Sequence, residues 1–148
     1  MKLLRLKPKR RQREREMQVA LFKWAALAAA TMPELRLLFA IPNGFSGAVR
    51  TRKDGTKFCS SKAKMVGEGL KSGVPDVCLP VARGEFHGLW LELKAGDNTT
   101  SPTQREWMGA LTAQGHAVHL VRNEWTHAVR IIEEYLKGEH SEAREVGK

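Results

Sequence analysis

The chain has 148 residues, 42% of them apolar and 28% charged, with a net charge of +9 at neutral pH. That is enough chain for one domain with its own core, and the basic excess points to nucleic acid or another anionic partner. The two cysteines, Cys59 and Cys78, form no C-x-x-C or Cys/His pattern and no apolar run reaches the roughly 18 residues of a membrane span, so a disulfide framework, a zinc module and a membrane protein are not expected, and a reducing cytosol is the default.

Residues 1–15 carry eight lysines and arginines against Glu14 and no other acid. Such an arm contacts phosphates or is a solvated tail. A helix is predicted from near Gln12 to Ala30, with Met17, Leu21, Trp24 and Ala28 at helical spacing and Pro33 as its stop. Glu14 and Gln18 share one face of it, whereas Glu16 points elsewhere. Leu35–Ile41 reads as a helical turn followed by a short strand, and Ile41-Pro42-Asn43-Gly44 as a strand end with a turn. Residues 44–73 form a long loop rich in glycine and in cations, among them Arg50, Arg52, Lys62, Lys64 and Lys71, with a short helix over Ser60–Gly69.

The next stretch carries the chemistry. Val77, Leu79 and Val81 alternate, then Leu89, Leu91 and Leu93, and the segment Ala82–His87 is short enough for a hairpin loop. A hairpin symmetric about Gly84 sets Asp76 opposite Glu92. Side chains two apart share a face, so Trp90, Glu92 and Lys94 lie together, with Asp76 and Cys78 on the matching face. Carboxylates on opposed positions, with Cβ atoms roughly 5 Å apart, repel unless a proton or cation lies between them. Mg²⁺, which takes carboxylate, water and phosphate oxygens, suits that place. The same residues also fit a solvated face with a surface ion pair, worth about 0–1 kcal/mol.

Ser101-Pro102-Thr103-Gln104 opens a further helix, with Ser101 as N-cap, Pro102 at the first position and Gln104 completing a capping box. Trp107, Met108 and Leu111 supply its buried face and Gly115 ends it. Ala117–Val121 is a strand, and Trp125, Val129, Ile132 and Leu136 mark a final amphipathic helix. His87 lies at the hairpin turn, where it touches DNA or nothing, His116 reads as a loop residue, Cys78 as a small buried thiol, and Trp90 as packing under the first helix, with stacking on a base as the alternative. The expected organisation is a basic arm (1–13), one domain (14–137) and a polar tail (138–148), of α/β or α+β class with a mixed sheet flanked by helices.

Gly73-x-Pro75-Asp76, Glu92-x-Lys94 and Gln104 at a helix start, in this order, resemble the PD-(D/E)XK nuclease superfamily, and more closely its VRR-NUC (virus-type replication-repair nuclease) family. Glu14-x-x-x-Gln18, Ile41-Pro42-Asn43-Gly44, Lys71-x-Gly73 and His87-Gly88-Leu89 fit too, so that the resemblance spans roughly residues 14–136. It implies a restriction-endonuclease-like fold and a Mg²⁺- or Mn²⁺-dependent endodeoxyribonuclease. Asp76, Glu92 and the Leu93 carbonyl would hold the metal, and Lys94 would activate water and stabilise charge on the phosphate. Gln104 corresponds to a glutamine near the family's site, a role that competes with capping for its side chain. Glu14 matches the first-helix acid, with Glu16 its rival. Asn43, Arg50, Arg52, Lys62, Lys64 and Lys71 would contact DNA. Stand-alone members resemble small phage-encoded homodimers that act on branched DNA such as four-way junctions, which implies a homodimer in a bacterial cytoplasm. A non-catalytic DNA-binding module of the same fold and an RNA-processing nuclease are the competing readings.

Overall fold

A computed structural model describes residues 10–42 and 50–139. Asn43, the outer part of the basic arm and nearly all of the polar tail lie outside them. In chain order the elements are helix α1 (Arg10–Ala28), a 3-10 turn (Pro33–Leu37), strands β1 (Phe39–Ala40), β2 (Arg50–Thr51) and β3 (Lys57–Phe58), helix α2 (Ser60–Gly67), strands β4 (Val77–Leu79) and β5 (Leu89–Lys94), helix α3 (Pro102–Ala113), strand β6 (Ala117–Arg122) and helix α4 (Trp125–Lys137). Four strands form one sheet in the order β1-β4-β5-β6; the first three are antiparallel neighbours and β5 runs parallel to β6. This is the mixed sheet flanked by helices that the sequence pattern predicts.

Residue parity decides what each face of the sheet meets. Val77, Leu79, Leu89, Leu91 and Leu93 are at most 2% exposed and join Met17, Leu21 and Ala25 of α1 and Ala128, Ile131, Ile132 and Tyr135 of α4 in one core. Burying each such Leu, Ile or Val contributes about 1.5–3 kcal/mol. The even-numbered residues of β5 face the other way, toward α3. Here three expectations are corrected. On α1 the innermost stripe runs through Ala25, with Trp24 half-buried. On α4 only Ile132 of the four expected residues is fully buried, because the seam is turned toward Ala128 and Ile131. On α3 no residue is fully buried, Trp107, Met108 and Leu111 being half-covered.

Helix α1 stops at Ala28, where the Met32 N–H and the Thr31 hydroxyl both donate to the Ala28 carbonyl, at 2.8 and 3.2 Å, one residue ahead of Pro33. The β4–β5 register pairs Val77 with Leu91 and Leu79 with Leu89, as symmetry about Gly84 requires. The tip is not symmetric: Arg83 pairs with Phe86, so three residues on one side oppose two on the other. A tight turn at Pro80, in which Val81 N–H donates to Leu79 O at 2.9 Å, absorbs the extra residue. Arg83 then ties three elements together, donating to the Leu136 carbonyl at the end of α4 and to Glu34 in the 3-10 turn. The Tyr135 hydroxyl adds a bond to the Val81 carbonyl at 2.6 Å. These ties fix the end of the sheet away from the Glu92-Lys94 end of β5.

Candidate functional site

Strand β5 carries Glu92 and Lys94 on one face, as alternation dictates. Glu92 is 1% exposed, so it is not part of a solvated surface. Its Oε1 accepts from Lys94 Nζ at 2.8 Å and from Gln104 Nε2 at 2.5 Å, while its buried Oε2 has no protein partner. Burial, and then the charge of Asp76, push the Glu92 carboxyl up to about 7 from its usual value; Lys94 pulls the other way and Glu14 adds a smaller push. Asp76 sits one residue before β4, at the position facing Glu92 if the β4–β5 register is carried one step on. Its Oδ2 accepts from the Leu93 N–H at 2.8 Å, and its carbonyl accepts from Ile41 N–H, which carries β1 to the same spot.

Glu14 reaches the site from α1. It lies seven residues before Leu21, two turns along the same buried stripe, so its carboxylate points at the end of β5. Its Oε1 accepts from the Ala95 N–H at 3.1 Å and from Asn98 Nδ2 at 3.2 Å. Glu16 is exposed and accepts from Gln12 within its own helix, which separates the two rivals. The loop after β5 is held from a second side, by Asn123 Oδ1 accepting from Gly96 N–H and by Arg122 donating to the Asn98 carbonyl. Asn98, Arg122 and Asn123 are supports that the sequence did not reveal: lone polar residues in loops or at a strand end carry no spacing signal.

Gln104 corrects an expectation outright. The two roles assigned to it do not compete. Its Oε1 accepts from Ser101 N–H at 2.9 Å, Ser101 Oγ accepts from Gln104 N–H at 3.2 Å, and the amide nitrogen is left to donate to Glu92. A primary amide has an acceptor and a donor end, and each finds its own partner. What brings this helix start to Asp76 is Gly73. It adopts φ +86°, and a Cβ there would lie 2.7 Å from Thr103 Cγ2 and 2.9 Å from the Thr103 carbonyl carbon. Only glycine lets the turn before Asp76 press against the first turn of α3.

These groups face an open cleft of about 1100 Å³ between α1 and the end of the sheet, lined by Asp76, Glu92, Leu93, Lys94, Gln104 and Glu14 together with Ile41 and Pro42. Of the cations expected to contact phosphate, Arg50 and Arg52 stand on β2 and beside it, Lys62 and Lys64 on α2, and Lys71 in the following turn. All five are exposed, and none lines the cleft; Lys64 forms an exposed i,i+4 pair with Glu68 at 3.8 Å. Arg11, Arg15 and Lys23 line it instead. Their four- and eight-residue spacing on one helix was a legible stripe, but only the fold says which way it faces.

Trp90 does not pack under the first helix. It lies on the face toward α3, edge-on to His116 with ring centroids 6.1 Å apart, and His87 stands edge-on to His116 in turn at 6.0 Å. Cys78, opposite Trp90, is the buried thiol expected, and burial raises it to about 11.

Among the described residues no group of three or more His, Cys, Asp or Glu side chains is placed to hold a metal, and no helix is long and apolar enough to cross a membrane. Two carboxylates are nevertheless within the ordinary complement for Mg²⁺, which keeps several waters, and an orphaned, buried carboxylate oxygen beside a second acid is what such an ion would satisfy. No protein-family model matches the sequence, and no curated protein matches it. A solved structure described as a VRR_NUC domain protein is similar to 84% of this chain and 88% of its own, with a TM-score of 0.54 and 23% identity. With its element order, mixed sheet and flanking helices, the chain has the fold of a VRR_NUC domain protein.

Proposed function

We propose that the chain is a metal-dependent nuclease of the VRR-NUC kind that hydrolyses phosphodiester bonds in DNA. The observation that carries this reading is Glu92: a buried carboxylate, one oxygen without a protein partner, set beside Asp76 and Lys94 on the wall of an open cleft. A purely structural ion pair has no need of a second acid, since the second acid raises the cost of the first. Asp76, Glu92 and the Leu93 carbonyl would hold a divalent cation, Mg²⁺ or Mn²⁺. When bound, such a cation supplies Lewis-acid stabilisation of the charge that develops on phosphate.

The chain's own residues do the rest. Gln104 and Lys94 hold Glu92 Oε1 from two sides, which leaves Oε2 as its available oxygen. Asp76 is fixed by the Leu93 N–H. Lys94 keeps an ammonium beside the carboxylates, where it orients the attacking water and meets the charge growing on the phosphate oxygens. Glu14 anchors the Ala95–Asn98 loop and adds negative charge near Glu92. Arg11, Arg15 and Lys23 attract the DNA backbone along the rim, by a salt-sensitive contact.

The substrate class in this reading is branched DNA such as a four-way junction, and the working unit is a homodimer. Resolving a junction takes two cuts placed symmetrically, and a two-fold dimer presents two identical sites in that relation. The decisive experiment is a cleavage assay with Mg²⁺ or Mn²⁺ on four-way junction, flap, duplex and single-stranded DNA, beside structured RNA. Asp76→Asn and Glu92→Gln are expected to abolish cutting while the chain still folds. Near wild-type cutting by either one refutes the site. Light scattering coupled to size exclusion checks the assembly, where a particle of one chain's mass, 16.6 kDa, that still makes paired cuts refutes the symmetry argument.

A further inference from the structure

Within the cationic stretch expected as a loop, residues 50–58 form a two-stranded ribbon. Strands β2 and β3 pair antiparallel, Arg50 with Phe58 and Thr51 with Lys57. The turn between them is closely hydrogen-bonded. Arg52 N–H donates to Thr56 O at 2.8 Å and Gly55 N–H to Arg52 O at 3.0 Å. Gly55 takes φ +83°, and Asp54 Oδ1 accepts from both the backbone N–H and the hydroxyl of Thr56, at 2.9 and 2.6 Å. Yet residues 51–57 are all exposed, as is Arg50. Exposed strand residues gain little from folding, so over residues 50–57 it is the hydrogen-bonded turn that holds the ribbon's shape. It carries Arg50, Arg52, Lys53 and Lys57 against Asp54 as its one acid.

The distribution of those cations identifies the partner. Arg50 and Arg52, two apart, project to one face of the ribbon, and Lys57, paired with Thr51, projects to the other. A ribbon lying on a single phosphate row would need its charge on one face. Charge on both faces suits a groove with a phosphate row on each side. The major groove of B-form DNA, about 12 Å wide, admits a two-stranded ribbon, whereas the minor groove, at about 6 Å, and the deep, narrow major groove of an RNA duplex do not. The ribbon's chain neighbours lead back to the cleft: Ile41 and Pro42 line it on one side of the segment, and α2 runs on to Gly73 and Asp76 on the other.

We propose that the β2–β3 ribbon enters the major groove of a double-stranded DNA arm next to the phosphate held in the cleft. The inference rests on the nuclease reading for its substrate and adds that the substrate must offer duplex beside the cut. It requires an arm of B-form helix and makes groove width, not base sequence, the recognised property.

The test is binding without cutting, in EDTA, by fluorescence anisotropy. The probes are a DNA duplex, the same strand alone, an RNA duplex of equal length, and a DNA duplex with bulky groups on the C5 atoms of its pyrimidines, which fill the major groove. The variant is Arg50→Gln/Arg52→Gln/Lys57→Gln, with thermal unfolding to show that it still folds. The variant is expected to lose DNA-duplex affinity at least about tenfold. It is also expected to flatten the slope of log affinity against log salt by roughly 2–3, because each of the three cations removed would otherwise neutralise one phosphate. Its single-strand affinity is expected to stay within about threefold, a contrast that follows because one strand has no groove. The C5 groups are expected to weaken the wild type and not the variant. Equal losses on duplex and single strand, no loss at all, indifference of the wild type to the C5 groups, or a preference for the RNA duplex through these residues would each overturn the ribbon's role. A wild-type chain that binds DNA but fails to cut with Mg²⁺ refutes the nuclease reading and leaves the ribbon's role standing, so the two failures are distinguishable.

Discussion

Gln104 joins a helix cap to the site, and the two contributions can be separated. Ser101→Ala removes the acceptor of Gln104 N–H and so costs about 1 kcal/mol, the usual worth of an N-cap. Gln104→Ala removes the other half of the capping box and also the bond to Glu92 Oε1. Above about pH 8, where the Glu92 carboxyl is ionised, a hydrogen bond to it contributes about 1.5–3 kcal/mol, which brings the total to about 2–4 kcal/mol. In urea, with a slope of about 2 kcal/mol/M, Ser101→Ala shifts the unfolding midpoint by about 0.5 M and Gln104→Ala by about 1–2 M. In a Glu92→Gln background the cost of Gln104→Ala falls by about 1 kcal/mol, because the bond it breaks is then neutral, while the cost of Ser101→Ala is unchanged. Under single-turnover conditions Gln104→Ala slows cutting about tenfold or more, equivalent to about 1.4 kcal/mol of lost orientation, and Ser101→Ala changes it little. Equal midpoint shifts for the two variants, indifferent to the Glu92 background, would refute the assignment of a bond between Gln104 and Glu92.

Three more predictions concern the same scaffold. Mg²⁺ or Mn²⁺ at a hundredfold excess over its dissociation constant is expected to stabilise the wild type by about 2.7 kcal/mol in thermal unfolding and to leave Asp76→Asn unmoved, whereas a shift shared by both proteins refutes the metal site. Gly73→Ala is expected to cost about 2–4 kcal/mol by denaturant unfolding, from a positive φ and a close approach to Thr103; a loss under about 0.5 kcal/mol shows that the turn can move away. A thiol reagent at pH 8 is expected to label Cys59 in the native chain and Cys78 only after denaturation, because Cys78 is 4% exposed and its thiol stays protonated below about 11; fast native labelling of both refutes the burial.

How much of this was legible in the sequence differs from element to element. The β4–β5 register was, because alternating Val and Leu on each side of Gly84 tolerate no one-residue slip. The start of α3 was as well, because Ser101, Pro102 and Gln104 each have a local reason to be there. The cover over Trp90 was not. Both faces of a central strand are buried, and period-2 alternation names two faces without saying which helix lies on which. The ribbon at 50–58 escaped for the opposite reason: strands of two residues are too short to leave an apolar pattern to read, and only Asp54-Gly55 marks the turn. For Gln104 the spacing disclosed two partners but not that the two ends of one amide point apart. The site's inward acid was partly legible: Glu14 shares a face with Leu21, but its contacts with Ala95 and Asn98 cross some eighty residues of chain.

That span has a consequence for when the protein becomes active. Glu14 comes from the beginning of the described chain, Asp76 from its middle, Glu92 from the second strand of the hairpin, and Gln104 from the crossover that leads to β6. A chain still emerging from the ribosome does not hold all of these groups together until α3 has closed over β5, and α3 begins at the very turn that grips Glu92. A first helical turn is the costly part of a helix to form. If the chain is the nuclease proposed above, assembly of its cutting centre is thus tied to the completion of folding, and a nascent or misfolded copy carries the acids without the arrangement that would let them act on nucleic acid.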